Sequence, residues 1–494
     1  MSGASRVGVV DIGSNTVRLV IFETWRASVL PRFNEKVMAG LGTGLAETGR
    51  LSPTGWTSAV KALRRFRAIL DGLAVTQVRV VATAASRVAQ DGPAFVREAE
   101  AAIGVPVIVL SGTDEGRVSA MGVAGGMYRP VGLVADLGGS SMELHGLGHG
   151  EGCEGETHML GPLALAGLLE RPERDIRKHV RGVLKGSALV KSDLETIYAV
   201  GGAWRAMAKV DMHRTDYPLQ VLHSYEMSAK AVSATVGDVF TARKSDPTLD
   251  TLRHTIAGRR SAMLPLSATV LDELVRVSGA KRVVISSIGL REGVVRELSG
   301  EVPADMLHDG AVAFLRLDPH QVAFGQALYA FLSHVFEAEP PCFGSRRNDA
   351  RLYRTACLLA DAAGRYHPDH RADMAYDQAL WAPYSGLDHA ERTFLALTAG
   401  TRYRRRFSLP KAHKVLLDEA GRKRARQLGL VMRLGAIISG RSASILERAS
   451  LGRDNGKLTL IVSGKDEDLL SETVIDRHAQ AAKELGLEPE ISVR

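Results

Sequence analysis

At 494 residues the chain is too long for one hydrophobic core, so roughly two to four domains are expected. With 45% hydrophobic and 24% charged residues it has the composition of a soluble globular protein, and no run of about 18 apolar residues is present to span a bilayer. A net charge of +8 suits a polyanionic partner, but aromatic residues make up only 5% and do not interleave with the basic clusters. Base-stacking platforms are therefore not evident, and nucleic acid is not the expected partner.

In chain order, the N-terminal segment lacks the basic-then-apolar layout of a secretory signal. Val7–Val10 is a short apolar run that ends in Asp11-Ile-Gly-Ser-Asn-Thr16, and Val17–Phe22 resumes with β-branched residues. That is a hairpin whose turn carries polar groups. Helical stretches at Thr57–Leu70 and Pro93–Ala102 and strands at Val78–Ala82 and Val107–Leu110 follow, an alternation that reads as α/β. Leu133–Ala135 then leads into Asp136-Leu-Gly-Gly-Ser-Ser141, and Glu143–His145 continues outward. Asp11 falls over Asp136, Gly13 over Gly138 and Thr16 over Ser141, so the two hairpins predict a duplicated domain.

Leu163–Leu169 and Glu173–Leu184 read as helices, and Thr196–Val200 as a strand entering Gly201-Gly202 before a helix at Trp204–Val210. Ala257–Val277 is a long amphipathic stretch, and the strand Val283–Ser287 precedes Ile288-Gly-Leu-Arg-Glu-Gly293 at the head of another helix. Glu301-Val-Pro303 marks a boundary, after which the pattern is mostly helical with a break at Pro340-Pro341. Val431–Ile438, a strand at Leu458–Val462 after the Asp454-Asn-Gly456 turn, a helix at Leu469–Leu485 and a strand at Glu488–Val493 form a small α/β end module. The expected domains are thus 1–124, 125–302, 303–428 and 429–494. Cys153, Cys342 and Cys357, odd in number and far apart, argue against a disulfide framework or zinc cluster and point to the cytoplasm.

A strand that ends in Asp-x-Gly-Ser-x-Thr offers two things. Glycine lets the backbone approach an anion while successive N–H groups and hydroxyls cradle phosphate oxygens. The aspartate can hold a hydrated magnesium ion, which prefers oxygen ligands and neutralises phosphate charge. One such loop could be a simple turn; two that face each other form a clamp with carboxylates on both sides. Val200-Gly-Gly-Ala203 before a helix is a third place for close approach by an anion. Arg87, after Ala82-Thr-Ala-Ala-Ser86, is a candidate phosphate fork. Asp114 and Glu115 stand at the start of a helix, where acids are common; hydrolysis of a phosphoanhydride needs a base to orient or deprotonate water, and a glutamate facing the phosphate site could serve.

Together Val10-Asp-Ile-Gly-Ser-Asn-Thr16, Ala82-Thr-Ala-Ala-Ser-Arg87, Ser111-Gly-Thr-Asp-Glu-Gly-Arg117, Asp136-Leu-Gly-Gly-Ser-Ser-Met-Glu143 and Gly289-Leu-Arg-Glu-Gly293 resemble the exopolyphosphatase / guanosine pentaphosphate phosphohydrolase family. The resemblance covers about residues 5–300 and implies duplicated actin-like domains, as in acetate kinase, sugar kinases and actin. By position Glu115 resembles the catalytic glutamate, and Glu143 a second acid near the metal and attacking water. The resemblance implies magnesium on Asp11, Asp136 and Glu143, largely through waters. It implies a cradle of Ser14, Asn15, Thr16, Gly138, Gly139, Ser140 and Ser141 for the terminal phosphate, with Arg87 gripping it. Arg259 and Arg260 resemble basic residues along a polyphosphate path, and Asp114 stands where relatives often carry a second glutamate.

The C-terminal part is similar to the helical, HD-like third domain of long family members, with Ala360 where an HD site needs histidine, so a second metal hydrolase is not expected. His367 and His370 read as loop histidines. Inorganic polyphosphate is the expected substrate, attacked from chain ends, with guanosine pentaphosphate as the alternative and a homodimer as the family expectation. A kinase of the same fold, or a non-catalytic polyphosphate or alarmone sensor, remain the rivals.

Overall fold

The computed structural model describes residues 5–26, 28–148, 155–191, 193–242, 258–300 and 305–494, the side chains of 241–242 and 258–262 excepted. Cys153 and the side chains of Arg259 and Arg260 lie outside the described residues. The chain divides into two compact units at 304/305.

The first unit contains two sheets of matching design. In the first sheet β1 (Ser5–Ile12), β2 (Val17–Trp25) and β3 (Ser28–Val37) form an antiparallel meander, and β4 (Gln77–Ala82) and β5 (Val107–Val109) add in parallel beyond β1, in the order β3-β2-β1-β4-β5. The second sheet repeats this with β6 (Gly132–Leu137), β7 (Met142–Leu147) and β8 (Glu156–His158) as the meander and β9 (Thr196–Val200) and a later strand in parallel. The antiparallel edge strand β10 (Tyr225–Ser228) pairs with that later strand, β11 (Arg282–Ile285), giving the order β10-β11-β9-β6-β7-β8. The duplication expected from the two hairpins is therefore present at the level of strand order.

Burial explains why the central strands were legible; of the edge strands of these two sheets, only β5 was read from the sequence. Every residue of β9 and the Val7–Val10 run of β1 is buried, as in strands covered on both faces. The short or polar strands β3, β8 and β10, none of them anticipated, lie at sheet edges or alternate buried with exposed residues. The helix Pro53–Gly72 starts on the Ser52 cap, whose Oγ accepts from Gly55 N at 3.2 Å, with proline in its first turn. Ala59, Leu63, Phe66 and Leu70 make its buried stripe. In the second half, Trp204 is wholly buried and its indole N–H donates to the Ser267 carbonyl at 2.9 Å, tying helix Gly202–Arg214 to helix Gly258–Ser278. Leu163–Leu169 forms turns and a single 3-10 turn at Ala166–Leu168 in place of the expected helix.

The second unit is helical from Met306–Leu315 through Pro319–Ser333, Arg346–Leu359, Arg371–Trp381, His389–Tyr403 and Glu419–Ile438. The last of these helices runs unbroken through 428/429, where a domain boundary was expected, and absorbs Val431–Ile438. Its apolar positions Leu428, Leu430, Val431 and Leu434 are all buried, so the change in composition there marks a core helix. The chain ends in a three-stranded sheet, β12 (Ala449–Asp454), β13 (Lys457–Val462) and β14 (Glu488–Val493), in that order. Asn455 and Gly456, both at positive φ, make the hairpin turn between β12 and β13, and helix Glu472–Leu485 crosses over to the parallel β14. His367 caps the 3-10 turn Pro368–His370, which His370 ends, and both are exposed. Ala360 is buried, and the neighbouring Asp361 pairs with Arg441 at 2.8 Å.

Candidate active site

Both hairpins of the first unit present the same groups at a strand end. Asp11 is the penultimate residue of β1 and Asp136 of β6. Each is followed by a turn closed in the same way: Gly13 N donates to the Thr16 carbonyl and Gly138 N to the Ser141 carbonyl, both at 2.9 Å. The turns meet face to face, with Ser140 Oγ donating to Ser14 Oγ at 3.2 Å. A Cβ at Gly139 would stand 3.1 Å from the Ser14 Cβ, so glycine there permits the approach.

Glu115 enters from the first turn of helix Gly112–Ala124, whose cap, Ser111 Oγ, accepts from Asp114 N at 3.0 Å. The two acids then part. Asp114 accepts from Ser111 Oγ at 2.6 Å and stays at the helix end, while Glu115 is buried and faces the cleft. Glu143, on β7 behind it, is 1% exposed, and its Oε1 has no hydrogen-bond partner among the described residues. Arg87 Nη1 donates to the Leu110 carbonyl at 2.6 Å and to Glu115 Oε2 at 3.3 Å. Its guanidinium is thus engaged with the glutamate and is not on the cleft wall.

Burial pushes Glu115 up to about 8, and the nearby Asp136 and Asp11 charges add to this against the pull of Arg87. Glu143 is raised well above the usual carboxylate range by burial and then by Glu115. Burial also raises Asp11, opposed by Arg291 and Arg18, and Asp136, opposed by Ser119 and Arg205. Ser119 Oγ donates to Asp136 Oδ2 at 2.5 Å, and Arg291 Nη1 donates to Asp11 Oδ2 at 3.2 Å. Four crowded carboxylates, one with an orphaned oxygen, are the oxygen-rich surroundings that a hydrated divalent cation relieves. Among the described residues no three acidic, His or Cys side chains form an enclosing metal site, so Asp11, Asp136 and Glu143 are not assembled as a direct three-ligand set.

The cleft holds about 660 Å³ and is walled by Asp11, Gly13, Ser14, Asn15 and Thr16 on one side and Asp136, Gly138 and Gly139 on the other, with Glu115 between. Ser140, Ser141 and Glu143 lie buried behind these walls. Gly201 and Gly202 also line it, as the Gly-Gly reading anticipated. Sequence reasoning missed its cations: Arg18, Lys36, Arg205 and Arg291. Arg291 sits inside the Gly289–Gly293 motif, and Arg205 follows the Gly-Gly turn in the first turn of its helix. Each had a positional signal. Arg18 and Lys36, paired across β2 and β3, had none without knowing that β3 exists.

A model of the Ppx/GppA phosphatase family matches residues 20–301, and a model of the exopolyphosphatase C-terminal region matches residues 327–491. The crystal structure of the Aquifex aeolicus Ppx/GppA family member is 23% identical, covering 61% of this chain and 100% of its own, with a TM-score of 0.52. An exopolyphosphatase from Cytophaga hutchinsonii is 21% identical over 60% of this chain and 99% of its own, with a TM-score of 0.53. At these identities the two structures establish a shared fold over about three-fifths of the chain.

Proposed function

The chain belongs to the Ppx/GppA phosphatase family, and from that premise we propose that it is an exopolyphosphatase, removing terminal phosphate from inorganic polyphosphate by attack of a water that Glu115 activates. The observation that carries this reading is the placement of buried Glu115 between the paired Asp11 and Asp136 turns. The turns offer backbone N–H groups and the Ser14 and Thr16 hydroxyls to the terminal phosphate. Glu115 accepts a proton from water as its oxygen bonds to the terminal phosphorus; the bridging P–O bond breaks, and its electron pair stays on the shortened chain. Arg87, bonded to Glu115, orients that carboxylate. Asp11 and Asp136, with Glu143 behind them, would hold a magnesium ion largely through waters, and the ion would neutralise phosphate charge.

The test is phosphate release from long-chain polyphosphate and from guanosine pentaphosphate, side by side, with and without magnesium. Faster magnesium-dependent release from the polymer is expected. Release from the nucleotide alone would make the protein a pentaphosphate phosphohydrolase acting through the same residues.

A further inference from the structure

The second unit gathers arginines from four parts of its chain. Arg371 opens helix Arg371–Trp381, Arg402 stands in the last turn of helix His389–Tyr403, Arg433 lies on helix Glu419–Ile438, and Arg441 follows that helix. Their charges reach one another. Burial lowers Arg402 below the ordinary arginine value, and Arg441 and Arg371 push it the same way against the pull of Tyr403 and Asp361. Burial takes Arg433 down to about 10, and Arg477 and Arg402 add to the shift.

The acceptors on hand do not balance these charges. Asp361 Oδ1 accepts from Arg441 Nη1 at 2.8 Å, and Gln321 Nε2 reaches the other carboxylate oxygen at 3.5 Å. Arg371 Nε donates to the Tyr366 carbonyl at 2.9 Å, and Arg433 Nη1 to the Tyr403 carbonyl. Carbonyls take up hydrogens but bring no net charge. Arg402 lies over the Tyr403 ring, 4.5 Å from its centroid, and its Nε is buried with no acceptor among the described residues. A helix C-terminus favours a cation, which accounts for one arginine in that last turn but not for the others drawn to it. Like charges held together away from water are costly unless an anion joins them. The backbone is also adapted to the cluster. Arg441 sits at φ 69°, in the left-handed region that favours glycine, and Ser439 Oγ accepts from its N–H at 3.1 Å. A Cβ at Gly364 would fall 2.5 Å from Asp361 Oδ1 and 3.0 Å from Arg441 Nη1, so glycine there leaves room for the pair.

We infer that Arg371, Arg402 and Arg441 form an anion site in the second unit that takes one phosphate group, either free orthophosphate or the end of a phosphate chain. Three guanidiniums gathered on Asp361 leave two positive charges, which a phosphate dianion matches. The guanidinium fork fits pairs of phosphate oxygens. Arg441 is half-exposed whereas Arg402 is set deeper, beside Tyr403. A chain that passes over the surface therefore meets Arg441 and misses Arg402, while a free ion or a chain end reaches both. The site uses none of the residues that line the hydrolytic cleft and stands whether or not the cleft acts as proposed.

The experiment is amide hydrogen exchange on the full-length Glu115→Gln protein, with and without Arg402→Met, in orthophosphate, in tripolyphosphate and in potassium chloride of equal ionic strength. Either phosphate should slow exchange in the segments 396–403 and 433–441 by about fivefold, the factor set by ligand at a few times its Kd. Arg402→Met should abolish that slowing. Slowing by both anions assigns the site to the free ion as well as the chain end, and slowing by tripolyphosphate alone assigns it to the chain end. In chloride the Arg402→Met protein should melt no lower than its parent, because methionine removes an uncompensated guanidinium and keeps much of the packing. A lower melting temperature would make Arg402 a structural residue and overturn the site. Exchange that neither anion slows, or slowing that persists in Arg402→Met, would overturn it as well.

Discussion

The proposed role of Glu115, taking a proton from water, calls for a raised proton affinity, which burial and the like charges of Asp136 and Asp11 supply against the pull of Arg87. Asp114, one residue earlier, does not, because Ser111 and the exposed helix end hold it. Composition and spacing could not separate the two acids; the family resemblance chose Glu115, and the burial pattern gives the physical reason. Replacing Glu115 with Gln should reduce phosphate release by about 10²–10⁴. The melting temperature should not fall, since glutamine keeps the shape and takes away an acid that burial beside Asp136 makes costly to ionise. Asp114→Asn, measured in the same phosphate assay, should leave the rate unchanged. The paired substitutions test whether position in the cleft, and not acidity at the helix start, sets the chemistry. Ser119 shows what residue-level reading could not reach: nothing in its local sequence says that its hydroxyl fixes Asp136, because the contact joins a helix to a strand.

Two elements deliver the two halves of the site, and glycines let them touch. Helix Gly112–Ala124 carries Glu115 and packs on helix Leu290–Ser299, which carries Arg291. A Cβ at Gly293 would fall 1.8 Å from the Val118 carbonyl oxygen, and one at Gly122 would fall 2.0 Å from that of Gly289. Backbone cannot yield as a flexible side-chain tip can, so Gly293→Ala should cost about 1–3 kcal/mol of stability. Urea unfolding should show a lower midpoint at unchanged slope, and the rate should fall as well, because the helices that hold Glu115 and Arg291 move apart. In the second unit, His478 on helix Glu472–Leu485 is 1% exposed and bonds through Nε2 to the Leu458 carbonyl of β13 at 2.8 Å. Burial lowers its pKa below the ordinary histidine value near 6.5. The fold therefore favours the neutral ring: its contribution is present above about pH 6.5 and is lost as the pH falls below that. Melting curves from pH 8 to pH 5 should show a decline that His478→Gln flattens; an equal decline in the variant would place the titrating group elsewhere.

At the scale of the whole molecule, the duplicated hairpins were legible because a buried strand and a tight polar turn both leave marks in sequence. The set of cations in the cleft was not, since its arginines come from β2, a helix after β9 and a helix after β11, and only the folded sheets bring them together. The late basic run also resolves into two kinds of charge. Arg424 is buried against Tyr353 and Glu339, and Arg426 pairs with Glu484, so these serve the interior. Arg405, Arg406, Lys411, Lys414 and Lys423 remain exposed. With a net charge of +8, such exposed cations draw a polyanion by a field that salt screens within about 10 Å at 0.1 M. A long polyphosphate chain carries enough charge to meet many such cations at once, while tripolyphosphate does not. The value of kcat/KM for the long polymer should therefore fall more steeply with added potassium chloride than that for tripolyphosphate, with kcat nearly constant for both. Charge-removing changes at Arg405, Arg406 and Lys411 should bring the polymer's salt slope toward that of tripolyphosphate. Equal slopes in the unaltered protein would mean that chain-length preference is set inside the cleft, and the exposed charges would then have no part in capturing the polymer.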